Sequence, residues 1–281
     1  MKEFKDKVAV ITGAASGIGR AIADKCAAEG MKVVLADINE KGLADAEAEL
    51  KEAGATVLSI PTDVSKDSEI KALAQKTLEQ FGGVHLLVNN AAVYTTGTVW
   101  ENTVSDWEWV LGVNLMGVIN GVRIFVPIMI EQDTEAHIVN VSSMTGLTRS
   151  SNLGTYTVSK HGIVALSETL FYELAAMDAK VKVSILCPGT VNTPVADAAR
   201  RRFVEMRDVP GERKMTSEDE EQIERMSQAF NKGIDPEEVA DKVFDAIREE
   251  KFYIITHPEQ KVRVKRRMDG ILEERNPTLP A

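Results

Sequence analysis

The sequence predicts a doubly wound α/β fold: a seven-stranded parallel sheet with helices on both faces. Three observations lead there. Short β-branched runs alternate with longer helical patterns along the chain. The runs read as continuously apolar, as strands covered on both faces do. The connections between them are helical, which implies right-handed βαβ units. The 281 residues hold no Gly/Ser- or Pro-rich linker and no internal repeat, so residues 1–281 read as one domain.

The expected strands are "KVAVIT" (7–12), "KVVLAD" (32–37), "TVLSIP" (56–61), "VHLLVNN" (84–90), "HIVNVSS" (137–143), "KVSILCP" (182–188) and "FYIIT" (252–256), in the spatial order 3-2-1-4-5-6-7. Helices fill the gaps. Gly30, Gly54 and Gly82 close three of them as C-terminal caps. Ser65, Ser105 and Asp235 are the expected N-caps. Residues 194–234 separate the last two strands by more than a crossover needs, and are expected to form a substrate lid. "SEDEEQIE" (217–224) reads as a solvated, mobile helix start, and "KVRVKRR" (261–267) as the solvated face of a terminal helix.

Composition excludes some classes. The chain is 44% hydrophobic and 27% charged, with a formal net charge of −10, which disfavours nucleic acid and anionic membranes as partners. Cys26 and Cys187 are too few for a disulfide framework and read as buried thiols. The charged N-terminus lacks a signal-peptide core, and no uninterrupted apolar stretch reaches about 18 residues. A cytoplasmic protein is expected. His85, His137, His161 and His257 have no partners at metal-ligand spacing, so no metal site is expected.

The first strand runs into "TGAASGIGR" (12–20). Gly13, Gly17 and Gly19 let the backbone turn tightly and approach a pyrophosphate, while Ser16 and Ile18 open a helix whose amides point at that anion. Asp37, ending the second strand, can accept both ribose hydroxyls and would repel a 2′-phosphate. No basic residue follows it, so NAD is expected over NADP. Asp63 and Val64 end the third strand and flank the adenine; Asn90 and Ala91 lie at the cofactor edge of the fourth.

"GTYTVSKHG" (154–162) places Tyr156 and Lys160 four residues apart, on one face of a helix. A free phenol titrates near pKa 10. An ammonium about 4–5 Å away contributes on the order of 3–4 kcal/mol at an effective dielectric near 20, enough to lower the phenol's pKa by about 2–3. Tyr156 is therefore expected to be a general acid/base.

In order along the chain, "TGAASGIG", Asp37, "NNAA", Asn114 in "VNLMG", "VNVSS", "YTVSK" and "PGTVNT" resemble the motifs of the short-chain dehydrogenase/reductase family, in its shorter, one-domain Rossmann branch. The resemblance covers residues 5 to about 195 and, more loosely, the last strand. It implies a catalytic group of Asn114, Ser143, Tyr156 and Lys160. Ser143 is preferred to Ser142 because the family's Ser-to-Tyr spacing is thirteen. Tyr156 would move the proton, Lys160 would hold the tyrosinate and the nicotinamide ribose, Ser143 would donate to the substrate oxygen, and Asn114 would anchor a water. The loop "PGTVNT" (Pro188, Gly189, Val191, Thr193) would hold the nicotinamide carboxamide. One departure is Ala92, where the family usually has glycine.

The implied reaction interconverts a secondary alcohol and a ketone with NAD. Tyr94, Met144, Leu153 and Met206 are the expected substrate wall, fit for a bulky, partly hydrophobic small molecule. Trp100, Trp107 and Trp109 read as core or subunit contacts. The very apolar helical stretches 105–131 and 154–177 suggest a homo-oligomer, a dimer or tetramer. Two other readings stand beside this one: an NADPH-dependent carbonyl or 3-oxoacyl reductase, which Asp37 disfavours, and a non-catalytic NAD-binding regulator.

Overall fold

The computed structural model of the chain describes residues 1–206, 209 and 214–277, except the side chains of residues 205 and 206. Seven strands form one parallel sheet: β1 (Val8–Thr12), β2 (Lys32–Asp37), β3 (Val57–Pro61), β4 (Leu86–Asn89), β5 (Ala136–Val141), β6 (Val181–Cys187) and β7 (Tyr253–Ile255). Their order is β3-β2-β1-β4-β5-β6-β7, as the sequence implied. Eleven α-helical segments accompany them among the described residues: α1 (Gly17–Ala28), α2 (Glu40–Glu52), α3 (Asp67–Phe81), α4 (Val104–Leu111), α5 (Gly117–Glu131), α6 (Met144–Leu147), α7 (Gly154–Ala176), α8 (Val195–Met206), α9 (Ser217–Phe230), α10 (Pro236–Glu249) and α11 (Lys261–Leu272).

Alternation of side chains along each strand feeds two cores. Ala9, Ile11, Val33 and Leu35 face one side, against Ile22 and Cys26 of α1 and Val243 and Phe244 of α10. Val8, Val10, Val34 and Ala36 face the other, against Leu73 of α3, Phe125 and Met129 of α5, and Leu170 of α7. Both faces are apolar, so the strand sequences show no polar alternation. Cys26 and Cys187 are buried free thiols, as expected.

Several local expectations change. Helix α4 is capped by Thr103, not Ser105: Thr103 and Asp106 form a reciprocal capping box. Helix α3 starts after Lys66 without a side-chain cap, because Ser65 instead donates to Asp63 at 2.7 Å. Asp235 sits at the N-cap of α10 but makes no capping bond. The stretch 105–131 is not one regular helix. A π-turn over Gly112–Met116 joins α4 to α5, closed by the Gly117 N–H donating to the Gly112 carbonyl. The run Val104–Glu131 is long and apolar enough, by length and composition, to cross a bilayer. It is interrupted by Asn114, Asn120 and Arg123, which is why no single apolar stretch announced it.

The excursion 194–234 contains the helix pair α8 and α9. The acidic start of α9 is more engaged than expected. Asp219 is buried, caps the helix with Thr216, and accepts from Thr96 Oγ1 at 2.9 Å.

Candidate active site

The candidate site lies at the carboxyl ends of the strands, where an open α/β sheet holds its ligands. A single cavity of about 530 Å³ runs across that edge. One end is the turn from β1 into α1. Gly13 has a φ of +66°, which other residues rarely adopt. A Cβ on Gly19 would lie 2.2 Å from the Gly13 carbonyl oxygen, so the turn closes only on glycine. Asn90 braces it, donating from Nδ2 to the Thr12 carbonyl at 2.8 Å. Asp37 reaches the same end, where its carboxylate accepts the Ala15 N–H at 3.0 Å and the Asn39 N–H at 2.9 Å. Gly13, Ser16, Gly17, Ile18, Asp37, Asp63, Val64, Asn90 and Ala91 all line the cavity. Gly19 does not; it packs behind the turn.

The other end collects the chemical groups. Ser143 follows β5 and caps the short helix α6, its Oγ accepting the Thr145 N–H at 3.1 Å. Tyr156 and Lys160 stand one turn apart on α7, with the Lys160 Nζ 5.4 Å from the Tyr156 ring centroid. Lys160 is buried and donates to the Val141 carbonyl at 2.9 Å. Asn114 does not line the cavity. The π-turn aims it inward, where Oδ1 accepts the Val93 N–H at 2.8 Å and Nδ2 donates to the Val93 carbonyl at 2.9 Å and to Ser159 Oγ at 3.0 Å. It thereby ties the loop after β4 to the helix that carries Tyr156.

The electrostatics reverse one expectation. Burial raises the Tyr156 phenol above its usual value, opposed by the Ser143 side chain. Burial also brings the Lys160 amine down to about 7. The ammonium expected to acidify the phenol is itself desolvated, so both groups shift towards their neutral forms.

Pro188, Gly189, Val191 and Thr193 line the cavity after β6, as do Tyr94, Met144 and Leu153. Met206 ends α8, and its side chain lies outside the described residues. Tyr94 is packed edge-on to Tyr156, their ring centroids 6.4 Å apart, beneath Ala196, Ala199 and Phe203 of α8. Helices α8 and α9 thus cover the catalytic end. Trp109 lines the cavity and so is more than a core or subunit contact, while Trp100 is exposed. Arg202 of α8 lies over Trp109, 5.2 Å from its ring centre, and hydrogen-bonds Ser105. Sequence reasoning missed Arg202, Met226, Phe230, Gln260 and Arg263 on the cavity wall. Motif spacing could not reach them, because they come from the excursion and the chain's end; the basic run at 261–267 was the one visible signal.

The glycine turn and the carboxylate at the end of β2 fit a dinucleotide: the turn leaves no room for side chains, and Asp37 sits beside it with a fixed orientation. The comparisons agree. A family model described as short chain dehydrogenase matches residues 7–202. A CLA biosynthesis dehydrogenase/reductase of Lactiplantibacillus plantarum is 35% identical over 280 residues, 99% of this chain and 97% of that one. An (S)-acetoin-forming diacetyl reductase of Staphylococcus epidermidis is 34% identical over 72% of this chain and 78% of its own length. The crystal structure of a short chain dehydrogenase/reductase from Burkholderia phymatum in complex with NAD superimposes with a TM-score of 0.95 at 46% identity, covering 100% of this chain and 99% of that one. With the family model matching residues 7–202 and two of these relatives matching along nearly the whole chain, the chain belongs to the short chain dehydrogenase family of oxidoreductases.

Proposed function

We propose that the protein interconverts a secondary alcohol and a ketone with NAD as its cofactor, and that Tyr156 moves the proton. The observation that carries this reading is the convergence of Ser143, Tyr156 and Lys160 on the wall of a cavity whose far end is the Gly13–Gly19 turn and Asp37. When bound, the nicotinamide accepts the hydride from the alcohol carbon or returns it to the ketone. Tyr156 takes the hydroxyl proton as the carbon–oxygen double bond forms, and gives it back in the reverse direction. The Ser143 hydroxyl donates to the substrate oxygen while charge develops there. Lys160 provides positive charge beside Tyr156 when protonated. Asn114 positions α7 through Ser159. The loop Pro188–Thr193 is the holder of the carboxamide. Helices α8 and α9 act as the substrate lid.

NAD is preferred to NADP because Asp37, held by two backbone amides, presents its charge where a 2′-phosphate would stand. The names of two relatives, a dehydrogenase/reductase and a diacetyl reductase, support alcohol and ketone chemistry. A panel of secondary alcohols and ketones, followed by NADH fluorescence, tests the reading. Turnover of at least one pair is expected, and Tyr156→Phe should reduce kcat by about 10³-fold or more while NAD binding stays within a few-fold. Retained turnover in that variant removes Tyr156 from proton transfer. Asp37→Ala combined with Ile38→Arg should shift preference towards NADP; an unchanged ratio of kcat/KM for the two cofactors would mean the ribose is held elsewhere.

A further inference from the structure

The loop that leaves β4 touches two parts of the molecule, and its contacts alternate residue by residue. Val93 is held at both its N–H and its carbonyl by Asn114, which also donates to Ser159 of α7. The Thr95 and Thr155 hydroxyls lie 2.9 Å apart. Gly97 forms a backbone bridge with Leu153, the residue before α7. These odd-numbered positions engage the catalytic helix before and after Tyr156. The even-numbered ones engage the lid. Tyr94 packs in one cluster with Ala196, Ala199 and Phe203 of α8 and Ile223 of α9. Thr96 donates to Asp219 of α9 at 2.9 Å. An extended chain sends successive side chains to opposite sides, and this alternation has that pattern.

The bond towards α7 has a fixed direction. Asn102 donates from Nδ2 to the Thr98 carbonyl at 2.8 Å and to the Gly97 carbonyl at 3.3 Å, so its Oδ1 is the acceptor. Thr95 gives its one hydroxyl proton to that oxygen at 2.8 Å. Thr155 must therefore donate to Thr95. Thr95, Asn102 and Thr155 are all buried, where a satisfied chain of hydrogen bonds rigidifies its surroundings. The loop also presses on the start of α7: a Cβ on Gly154 would lie 2.3 Å from Val99 Cγ1.

We propose that residues 93–97 are a two-sided ribbon between the lid and the catalytic helix, with Thr95 and Thr96 as positioning residues for Tyr156. On one side Tyr94 and Thr96 meet α8 and α9. On the other, Thr95 and the Asn114-held Val93 set the register of α7. Tyr156 takes up its working position when the lid is seated, so proton transfer follows enclosure of the substrate. This goes beyond the alcohol–ketone reading and rests on it, with Tyr156 as the proton carrier and α8 and α9 as the lid.

The first test is hydrogen–deuterium exchange on the full chain with NAD, read by mass spectrometry. Thr96→Val removes the hydroxyl that meets Asp219. Exchange should quicken roughly threefold or more in residues 154–160 as well as in 217–230. Quickening confined to the lid overturns the ribbon. The second test is steady-state kinetics on whichever alcohol or ketone the enzyme turns over. Thr96→Val and Thr95→Val should each lower kcat about tenfold, as misplacement of a reacting group does. Thr96→Ser and Thr95→Ser, which keep the hydroxyls, should recover most of that. The double valine variant should fall little below either single one, because both act through one link; fully multiplicative losses overturn the coupling. So does a raised KM with unchanged kcat, the mark of a lid that only holds substrate. If Thr95→Val fails to fold, Thr155→Val breaks the same bond from α7. If nothing is turned over, the alcohol–ketone reading fails for those compounds, and the exchange pattern still decides the ribbon.

Discussion

At Tyr156, desolvation and proton chemistry pull against each other. A phenol held above its ordinary value stays protonated near neutral pH, so the form that can accept a proton is scarce. Alcohol oxidation needs the acceptor form, so its kcat/KM should rise from pH 6 towards pH 10, while ketone reduction, which uses the protonated form, should stay level over the same range. Steady-state profiles in both directions check this; an oxidation optimum below neutrality would contradict it. His137 offers a second titration, on stability. It is buried, and its Nε2 is 2.7 Å from Ser184 Oγ. Ser184 donates its own proton to the Lys251 carbonyl at 2.7 Å, so Nε2 must be the donor and Nδ1 is left unprotonated with no partner among the described residues. Burial holds the imidazole near 3, against 6.5 unfolded. Below pH 6.5 the unfolded chain takes up the proton and the folded chain does not, so stability falls as pH drops towards 3, by on the order of 5 kcal/mol across that window. Urea titrations should show a shallower loss between pH 6.5 and 4 in His137→Gln than in wild type.

At the scale of elements, the site depends on two backbone irregularities. One is the glycine turn. Gly19→Ala would drive a methyl against the Gly13 carbonyl and Asn90 Nδ2, 2.2 and 2.5 Å away. It should weaken NAD binding at least tenfold by calorimetry and cost about 1–3 kcal/mol of stability. The other is the π-turn between α4 and α5. Without its extra residue per turn, Asn114 could not face Val93 and Ser159 together. The turn was visible in the sequence because its job demands glycine at fixed places. The π-turn was not: "VLGVNLMG" has ordinary helical composition, and the irregularity comes from tertiary packing. Capping failed in the same way. Thr103 has Asp106 three residues on and Ser105 has Glu108, so by residue type both offer a capping box, and only the folded chain selects Thr103.

For the molecule as a whole, sheet order and the chemical end were legible because both follow from spacing along one chain. Strands buried on both faces announce themselves by unbroken apolar runs, and Tyr156 and Lys160 by helical periodicity. The roof was less legible. Arg202 and Arg263 belong to segments remote from every motif, and they reach the cavity wall only in the folded chain. Met116 at the end of the π-turn, Val158, Phe171 and Tyr172 of α7, and Met177 just after it are all exposed. We propose this face as the subunit contact. Sedimentation should find a dimer or tetramer, and Tyr172→Glu should shift it towards monomer.

The stacking of Arg202 on Trp109 has a spectroscopic consequence. An indole beneath a guanidinium on the cavity wall is a built-in optical gauge of whether α8 is seated. With Trp100 and Trp107 replaced by phenylalanine, Trp109 alone would emit. Stopped-flow traces of its emission on mixing with NAD would then read out any change in how α8 packs on Trp109, without a label.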